Sequence, residues 1–403
     1  MRTFSHFTRI KRIFITLSIL TFSVSIYCKE TTDPTNILYQ STLNVKGDYP
    51  ELIINNNHAR YTNEGLMIIE KNDLVRLDKY YSLGERSIRY HVKFSENAKA
   101  VFQSNTGDFK VHIDLPNKSL SMETNPIISK KVDFINSNDE YLVEIYHTYQ
   151  TAKVKIINIH TGQSDYLEMT NDGPGGHGVG VINTGFRVGM QHDYYSFGLS
   201  EGDFLLVKQI TVLSLESDLT LLIYGDSITE PEDYFPTKEY PKSWTQLIME
   251  NINGPSMSSG RGGCTINEIL LRIKNELPYV KAKYVMVTVG TNGGNTVENL
   301  SELVEYILSQ NSIPILNNIP CNESQTHIEV NKQIEIVRQK YGINGCRFDW
   351  ATSKDYKGIE VDQTTMFHED YRDSWGQIYH HPNTEGSKRM YIRTLIDSPE
   401  IYQ

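Results

Sequence analysis

The hydrophobic rhythm of this 403-residue chain changes near residue 217. Before that point apolar residues alternate with polar ones. Ile88, Tyr90, Val92 and Phe94 alternate with Ser87, Arg89, His91 and Lys93, and Phe109, Val111, Ile113 and Leu115 have polar partners in the same way. A period of two marks strands with one buried face. Tyr141 to Tyr149 and Lys153 to Ile159 repeat the pattern, with a turn at His160, Thr161 and Gly162, and a closing strand is expected from Phe204 to Leu213. No stretch here sustains a 3.6-residue period, so an antiparallel all-β sandwich is expected over residues 30–215.

From residue 218 to 403 the rhythm is different. Solid apolar runs at Leu221 to Tyr224, Tyr284 to Val289, Ile313 to Ile319 and Cys346 to Trp350 read as buried strands. Helical stripes lie among them: Trp244, Leu247, Ile248, Ile252; then Ile266, Ile269, Leu270, Ile273, Leu277; then Val297, Leu300, Leu303, Val304, Ile307. A last helix runs through Met390, Tyr391 and Leu395. Alternating strands and helices predict an α/β domain whose parallel sheet is covered on both faces. The carboxyl ends of its strands share one edge, where open α/β sheets bind ligands. A chain this long is expected to divide into two domains.

Charged residues make up 22% and hydrophobic ones 39%, as in a soluble globular protein. The net charge is −10 and no Lys/Arg cluster follows the first dozen residues, which argues against a nucleic-acid partner. The 25 tyrosines suit strands and also suit stacking on sugar rings. Residues 1–28 read as a targeting segment: Arg2, Arg9, Lys11 and Arg12 precede an apolar run from Ile13 to about Val24, with small residues Ser23 and Ser25 near its end. The run is short for a membrane span. Cys28 before a polar stretch resembles the lipidation cysteine of a bacterial lipoprotein, although Tyr27 stands where such signals carry a small residue. The protein is therefore expected outside the cytoplasm: secreted, periplasmic or an outer-surface lipoprotein, touching membrane only through a lipid anchor at Cys28. Cys264, Cys321 and Cys346 are odd in number and lack CxxC spacing, and read as small buried side chains.

The strand Leu221 to Tyr224 ends in Gly225, Asp226, Ser227. Alone, GDS is an ordinary turn with a serine that caps a helix. The other element ends change its reading. Ser258, Ser259, Gly260, Arg261, Gly262 and Gly263 precede the second helix; Gly290, Thr291, Asn292 follow Tyr284 to Val289; His381, Pro382, Asn383 open the last helix. In this order GDSIT, GTN and HPN make the chain from 218 onward similar to the SGNH, or GDSL-type, hydrolase family. The resemblance implies a flavodoxin-like three-layer fold, Ser227 as nucleophile and first backbone oxyanion donor, Gly263 as second donor (Gly260 the poorer candidate), Asn292 as side-chain donor and His381 as base. An orienting Asp is expected three residues before the histidine, where this chain has Ile378. Asp373 or a backbone carbonyl near Ile378 takes that role. The strand order before residue 215 resembles a concanavalin A-like jelly roll, which implies either glycan binding or a packing role.

A serine hydroxyl needs an imidazole to take its proton as it attacks an acyl carbon, and the oxyanion that forms needs donors already in place. No metal or organic cofactor is implied. Thr229 to Tyr240, TEPEDYFPTKEY, is expected to form a polar, aromatic rim, joined by Asp349, Trp350 and Trp375. The loop Asn171 to Gly180 lacks the strand and helix of a dinucleotide fingerprint, and His177 within it reads as a surface histidine. These features lead to the expectation of an exported serine esterase that removes acetyl groups from a polysaccharide or oligosaccharide. A lipid or thioester hydrolase, and a glycan-binding protein with a degenerate site, are the alternatives.

Overall fold

In a computed structural model of the protein, the residues described are 37–43, 52–54, 59–72, 74–77, 79, 81, 86–104, 110–123, 127–147, 151–170, 195–230, 235, 237–371 and 376–403. Cys28, Phe109, His177, Asp373 and Trp375 lie outside them, as do the loop from Asn171 to Gly180 and most of residues 231–236.

Period-two alternation produces strands. In chain order these are β1 (Ile37–Ser41), β2 (Leu52–Ile54), β3 (Ala59–Thr62), β4 (Gly65–Ile68), β5 (Leu74–Leu77), β6 (Arg86–Phe94), β7 (Lys99–Ser104) and β8 (Lys110–Asp114). There follow β9 (Ser119–Glu123), β10 (Ile128–Lys131), β11 (Tyr141–His147), β12 (Thr151–Asn158), β13 (Ser164–Thr170), β14 (Tyr195–Glu201) and β15 (Leu205–Ser214). One antiparallel sheet has the order β13-β12-β11-β6-β15-β4-β3, with β1 also on β15; the other runs β10-β9-β8-β7-β14-β5-β2. Along β12 the alternation is strict, with Ala152, Val154 and Ile156 fully buried. The two sheets meet face to face at Tyr90 of β6, whose ring lies 4.7 Å from Phe102 of β7 and 5.4 Å from Phe197 of β14.

The second half begins with β16 (Leu219–Gly225), α1 (Trp244–Asn251), β17 (Ser256–Gly260), α2 (Ile266–Val280), β18 (Ala282–Thr288), α3 (Val297–Ser309) and β19 (Ile313–Leu316). It continues with α4 (His327–Tyr341), α5 (Phe348–Ala351), β20 (Glu369–Tyr371), β21 (Gly376–Ile378) and α6 (Thr384–Asp397). The parallel sheet has the order β17-β16-β18-β19. Alternate residues of its central strands face opposite layers. Leu221, Ile223 and Met286 pack with Trp244, Ile248 and Met390, whereas Leu222, Tyr224 and Val285 pack with residues of α2 and α3.

Three sequence expectations need correction. Cys346 to Trp350 is not a strand. Asn344 and Arg347 make single parallel bridges to Ile315 and Asn318, and Phe348 to Ala351 form α5. The Ser/Gly-rich stretch begins within the edge strand β17, which ends at Gly260. Helix α4 had no place in the pattern; its buried apolar residues Val330, Ile334 and Val337 are a narrow stripe among ten polar or charged neighbours and exposed isoleucines 328 and 336.

All the described residues fall within one compact unit. The sandwich core and the α2/α3 layer are a single hydrophobic cluster, and α2 packs on β1. Among the described residues no helix is long and apolar enough to cross a membrane.

Candidate active site

The sheet reverses its strand order around β16, whose neighbours β17 and β18 both follow it in the chain. The crevice at the carboxyl end of such a strand is where open α/β sheets place ligands. Glycines occupy the ends of β16 and β17 because the next turn lies across them. A Cβ on Gly225 would meet Thr229 Oγ1 at 1.8 Å, and one on Gly260 would meet the Thr229 carbonyl carbon at 2.5 Å. Gly225 and Gly260 are direct neighbours across the strand pair. Gly260 is thus a packing residue.

The turn holds Ser227 at 8% exposure. Thr229 N–H donates to the Asp226 carbonyl at 3.0 Å, and the Trp244 indole N–H of α1 donates to the Ile228 carbonyl at 2.8 Å. Asp226 is fully buried. Its Oδ1 accepts the Ile228 N–H at 3.0 Å, while Oδ2 makes no hydrogen bond of standard geometry. Burial pushes the carboxyl up to about 6, opposed by the backbone N–H groups of Ile228, Thr291 and Gly290 and by the neighbouring His380. One carboxylate thereby links the nucleophile turn to the loop after β18.

His381 arrives from the far end of the sequence. Its Nε2 lies 2.9 Å from Ser227 Oγ across 154 residues of chain, and it is 2% exposed. The backbone around it is laced to residues 364–367. Phe367 N–H donates to the His381 carbonyl at 2.8 Å, and Asn383 N–H to the Thr365 carbonyl at 3.0 Å. Asn383 caps α6, its Oδ1 accepting the N–H groups of Glu385 and Gly386 at 2.9 and 3.1 Å. The adjacent His380 ring is 3.6 Å from that of His381, centroid to centroid.

Asn292 and Gly263 lie in the loops after β18 and β17 and are exposed. Asn292 Nδ2 donates to the Cys264 carbonyl at 3.2 Å, which ties the two loops together. Gly263 has φ +75°, a left-handed conformation that suits glycine. Thr265 then starts α2 through a capping box with Glu268. The structure therefore brings Ser227 and His381 into contact and joins the loops of Gly263 and Asn292. Asp373 is outside the described residues.

The expected rim is altered. Thr229, Glu230, Phe235 and Tyr240 are buried, Phe235 edge-on to Phe367 at 5.4 Å. Asp349 is buried and accepts from Asn318 and Arg347, and the Trp350 ring lies 4.3 Å from the Arg347 guanidinium and 5.3 Å from that of Arg393. These residues pack rather than project. Sequence reasoning missed the roles of the Asp226 carboxylate, Glu230 and Trp244. The signal for Glu230 was an acidic residue three places after the serine in an otherwise compact turn. Cys264, Cys321 and Cys346 are buried thiols outside any disulfide.

No protein-family model matches the sequence, and no curated protein matches it. Among solved structures the chain is similar to a catalytic mutant of Axe2, an acetylxylan esterase from Geobacillus stearothermophilus (14% identity, TM-score 0.35, 45% of this chain and 94% of that one). It is similar to a GDSL-like lipase from Bacteroides thetaiotaomicron (16% identity, TM-score 0.33, 43% of this chain and 84% of that one). It is also similar to the exoplasmic/lumenal domain of VIP36 in its Ca2+/Man3GlcNAc-bound form (10% identity, TM-score 0.34, 45% of this chain and 91% of that one). The structural neighbours thus include esterases and acylhydrolases.

Proposed function

We propose that the protein is an exported serine ester hydrolase that removes acetyl groups from a polysaccharide or oligosaccharide, with Ser227 and His381 as its catalytic pair. The observation that carries this reading is the 2.9 Å contact between Ser227 Oγ and His381 Nε2 at the switch point of the sheet. A hydroxyl and an imidazole at that distance are placed for proton transfer as the oxygen attacks.

In this mechanism Ser227 Oγ forms a bond to the acyl carbon while its proton passes to His381 Nε2. The carbonyl π pair moves onto oxygen, and the oxyanion is met by the N–H groups of Ser227 and Gly263 and the amide of Asn292. Collapse breaks the bond to the sugar oxygen, which takes the proton from His381 and leaves as the alcohol. Water then attacks the acyl-serine carbon, its proton going to His381; collapse breaks the bond to Ser227 Oγ, which takes that proton, and acetic acid leaves and ionises to acetate. The acetylated-glycan substrate is supported by the secretory pattern of the N-terminus and the companion β-sandwich.

The test is acetate release from acetylated plant and microbial polysaccharides by the protein and by Ser227→Ala. Release by the parent alone supports the reading, and the most active polymer names the substrate. Preference for octanoyl over acetyl nitrophenyl esters, with no acetate released from any glycan, would replace it with a lipid or thioester hydrolase.

A further inference from the structure

Between the nucleophile turn and the loop that carries Gly263 lies a buried charge that the mechanism above does not use. Glu230 closes the Ser227 turn with its backbone, donating its N–H to the carbonyls of Asp226 at 3.1 Å and Ser227 at 3.3 Å. Its side chain leaves that turn and accepts the Gly262 N–H with Oε2. Glu230 Oε1 is 3.9 Å from Arg261 Nη1, and both side chains have 0% exposure. Arg261 is in turn fixed to the sheet. Its N–H donates to the Gly225 carbonyl at 3.0 Å and its Nη1 to the Gly260 carbonyl at 2.6 Å.

From these contacts we infer that Glu230 is a positioning residue for the oxyanion hole: it holds the Gly262 peptide so that the next N–H, that of Gly263, faces the Ser227 site. The inference rests on the proposed ester-hydrolase reading and deepens it. A charge-assisted hydrogen bond to a backbone N–H is strong where water is excluded. Gly262 and Gly263 both lack a side chain, so the backbone between the held Gly262 N–H and the Gly263 N–H offers little resistance to rotation of its own. Glu230 supplies a restraint on the side of the preceding peptide, and the Asn292 tie to Cys264 supplies one on the other. The same residue is covalently three positions from the nucleophile, so serine and donor are set from one anchor. A second buried layer supports it from below. Arg272 of α2 donates to the carbonyls of Ser259 at 2.7 Å and Gly225 at 3.0 Å, fixing the ends of both strands from which the turn and the loop depart.

The experiment compares Glu230→Ala and Glu230→Gln with the parent on 4-nitrophenyl acetate, alongside Ser227→Ala. Each variant's melting temperature is measured first, and hydrogen exchange is followed in the peptide spanning residues 258–265. Loss of one oxyanion donor costs about 10²- to 10³-fold in kcat. Glu230→Ala is expected to lower kcat about 10²-fold with KM within about threefold, and to speed exchange at Gly262 and Gly263. Glu230→Gln, which retains an acceptor oxygen, is expected to recover kcat to within about tenfold of the parent. If Glu230→Ala melts below the assay temperature, Glu230→Gln carries the test through a fall in kcat at constant KM and faster exchange. A folded Glu230 variant with parental kcat and parental exchange overturns the inference, as does a loss expressed in KM alone. A parent no faster than Ser227→Ala defeats the ester-hydrolase reading instead, and the exchange measurement still decides whether Glu230 holds the loop.

Discussion

The side-chain amide of Asn292 donates to the carbonyl of Cys264 at 3.2 Å, so the loops that follow β17 and β18 are fastened together. Asn292 is exposed at the top of that fastening and Gly263 lies one residue from its other end. The two loops come from the strands on either side of β16, and this bond bridges them over its carboxyl end.

Removing either member of the proposed pair should abolish turnover. Ser227→Ala and His381→Ala are each expected to lower kcat on 4-nitrophenyl acetate by about 10⁴- to 10⁶-fold, and the double variant to be no worse than either single one. Additive losses would show that the two residues do not act as a unit.

Asn292→Ala removes a proposed oxyanion donor and the tie to Cys264 together. The expected outcome is a fall in kcat of about 10²- to 10³-fold with little change in KM, read from full Michaelis curves. A change confined to KM would make Asn292 a substrate contact without a share in the transition state.

Asp226 makes stability depend on pH in an unusual direction. Its carboxyl is raised from 3.8 to about 6 by burial, so the folded protein holds a proton there that the unfolded chain has already lost. The stabilisation belongs to the protonated form, is fully present below the unfolded value and is lost as pH rises through about 6. A shift of this size corresponds to about 3 kcal/mol between the two forms. Urea unfolding of the parent and of Asp226→Asn from pH 4 to 8 should show the parent losing stability relative to the variant from about pH 4 to about 6, with little further change above. A constant difference would mean that Asp226 does not titrate there.

Gly260→Ala tests the packing that shapes the nucleophile turn. The new methyl would stand 2.5 to 2.7 Å from backbone atoms of Thr229 and Glu230. Overpacking of this sort costs about 1–3 kcal/mol, and because the obstructed atoms are backbone, kcat should fall with stability. Chemical denaturation and initial rates on the same preparation check both halves of the statement.

The histidine's orienting partner is open to a direct measurement. Asp373 is eight residues before His381, and a backbone carbonyl near Ile378 is the closer candidate in sequence. Asp373→Asn is expected to keep kcat within about tenfold of the parent; a loss near 10⁴-fold would assign the acid to Asp373.

Much of this architecture could be read from the chain because burial leaves a rhythm. Ile266, Ile269, Ile273 and Leu277 fall on one face of α2, and Val92 and Phe94 on one face of β6, just as their spacing predicts. Ser227, Gly263, Asn292 and His381 could be singled out as candidates because each lies in a turn or loop between elements. β17 was hidden because SMSSG lacks β-branched residues and takes its place from its neighbour β16. Glu230 was read as a rim residue for a similar reason. A charge is ordinarily at the surface, and only the Gly262 N–H and Arg261, brought from 31 or more residues away, make its burial tolerable. Long-range partners of that sort leave no local period to detect.

The continuous core that joins the sandwich to the α2/α3 layer also bears on how the chain can be cut. Tyr81 of the sandwich is buried beside Glu276 of α2, and Glu276 in turn accepts hydrogen bonds from Tyr224 of β16 and Ser259 of β17. Severing the chain near residue 217 would strip one side of α2 bare and leave an apolar wound two layers behind the serine. The sandwich is thus less a passenger than a wall of the building. Swapping it for another module would succeed only if the replacement brought a matching apolar face to α2.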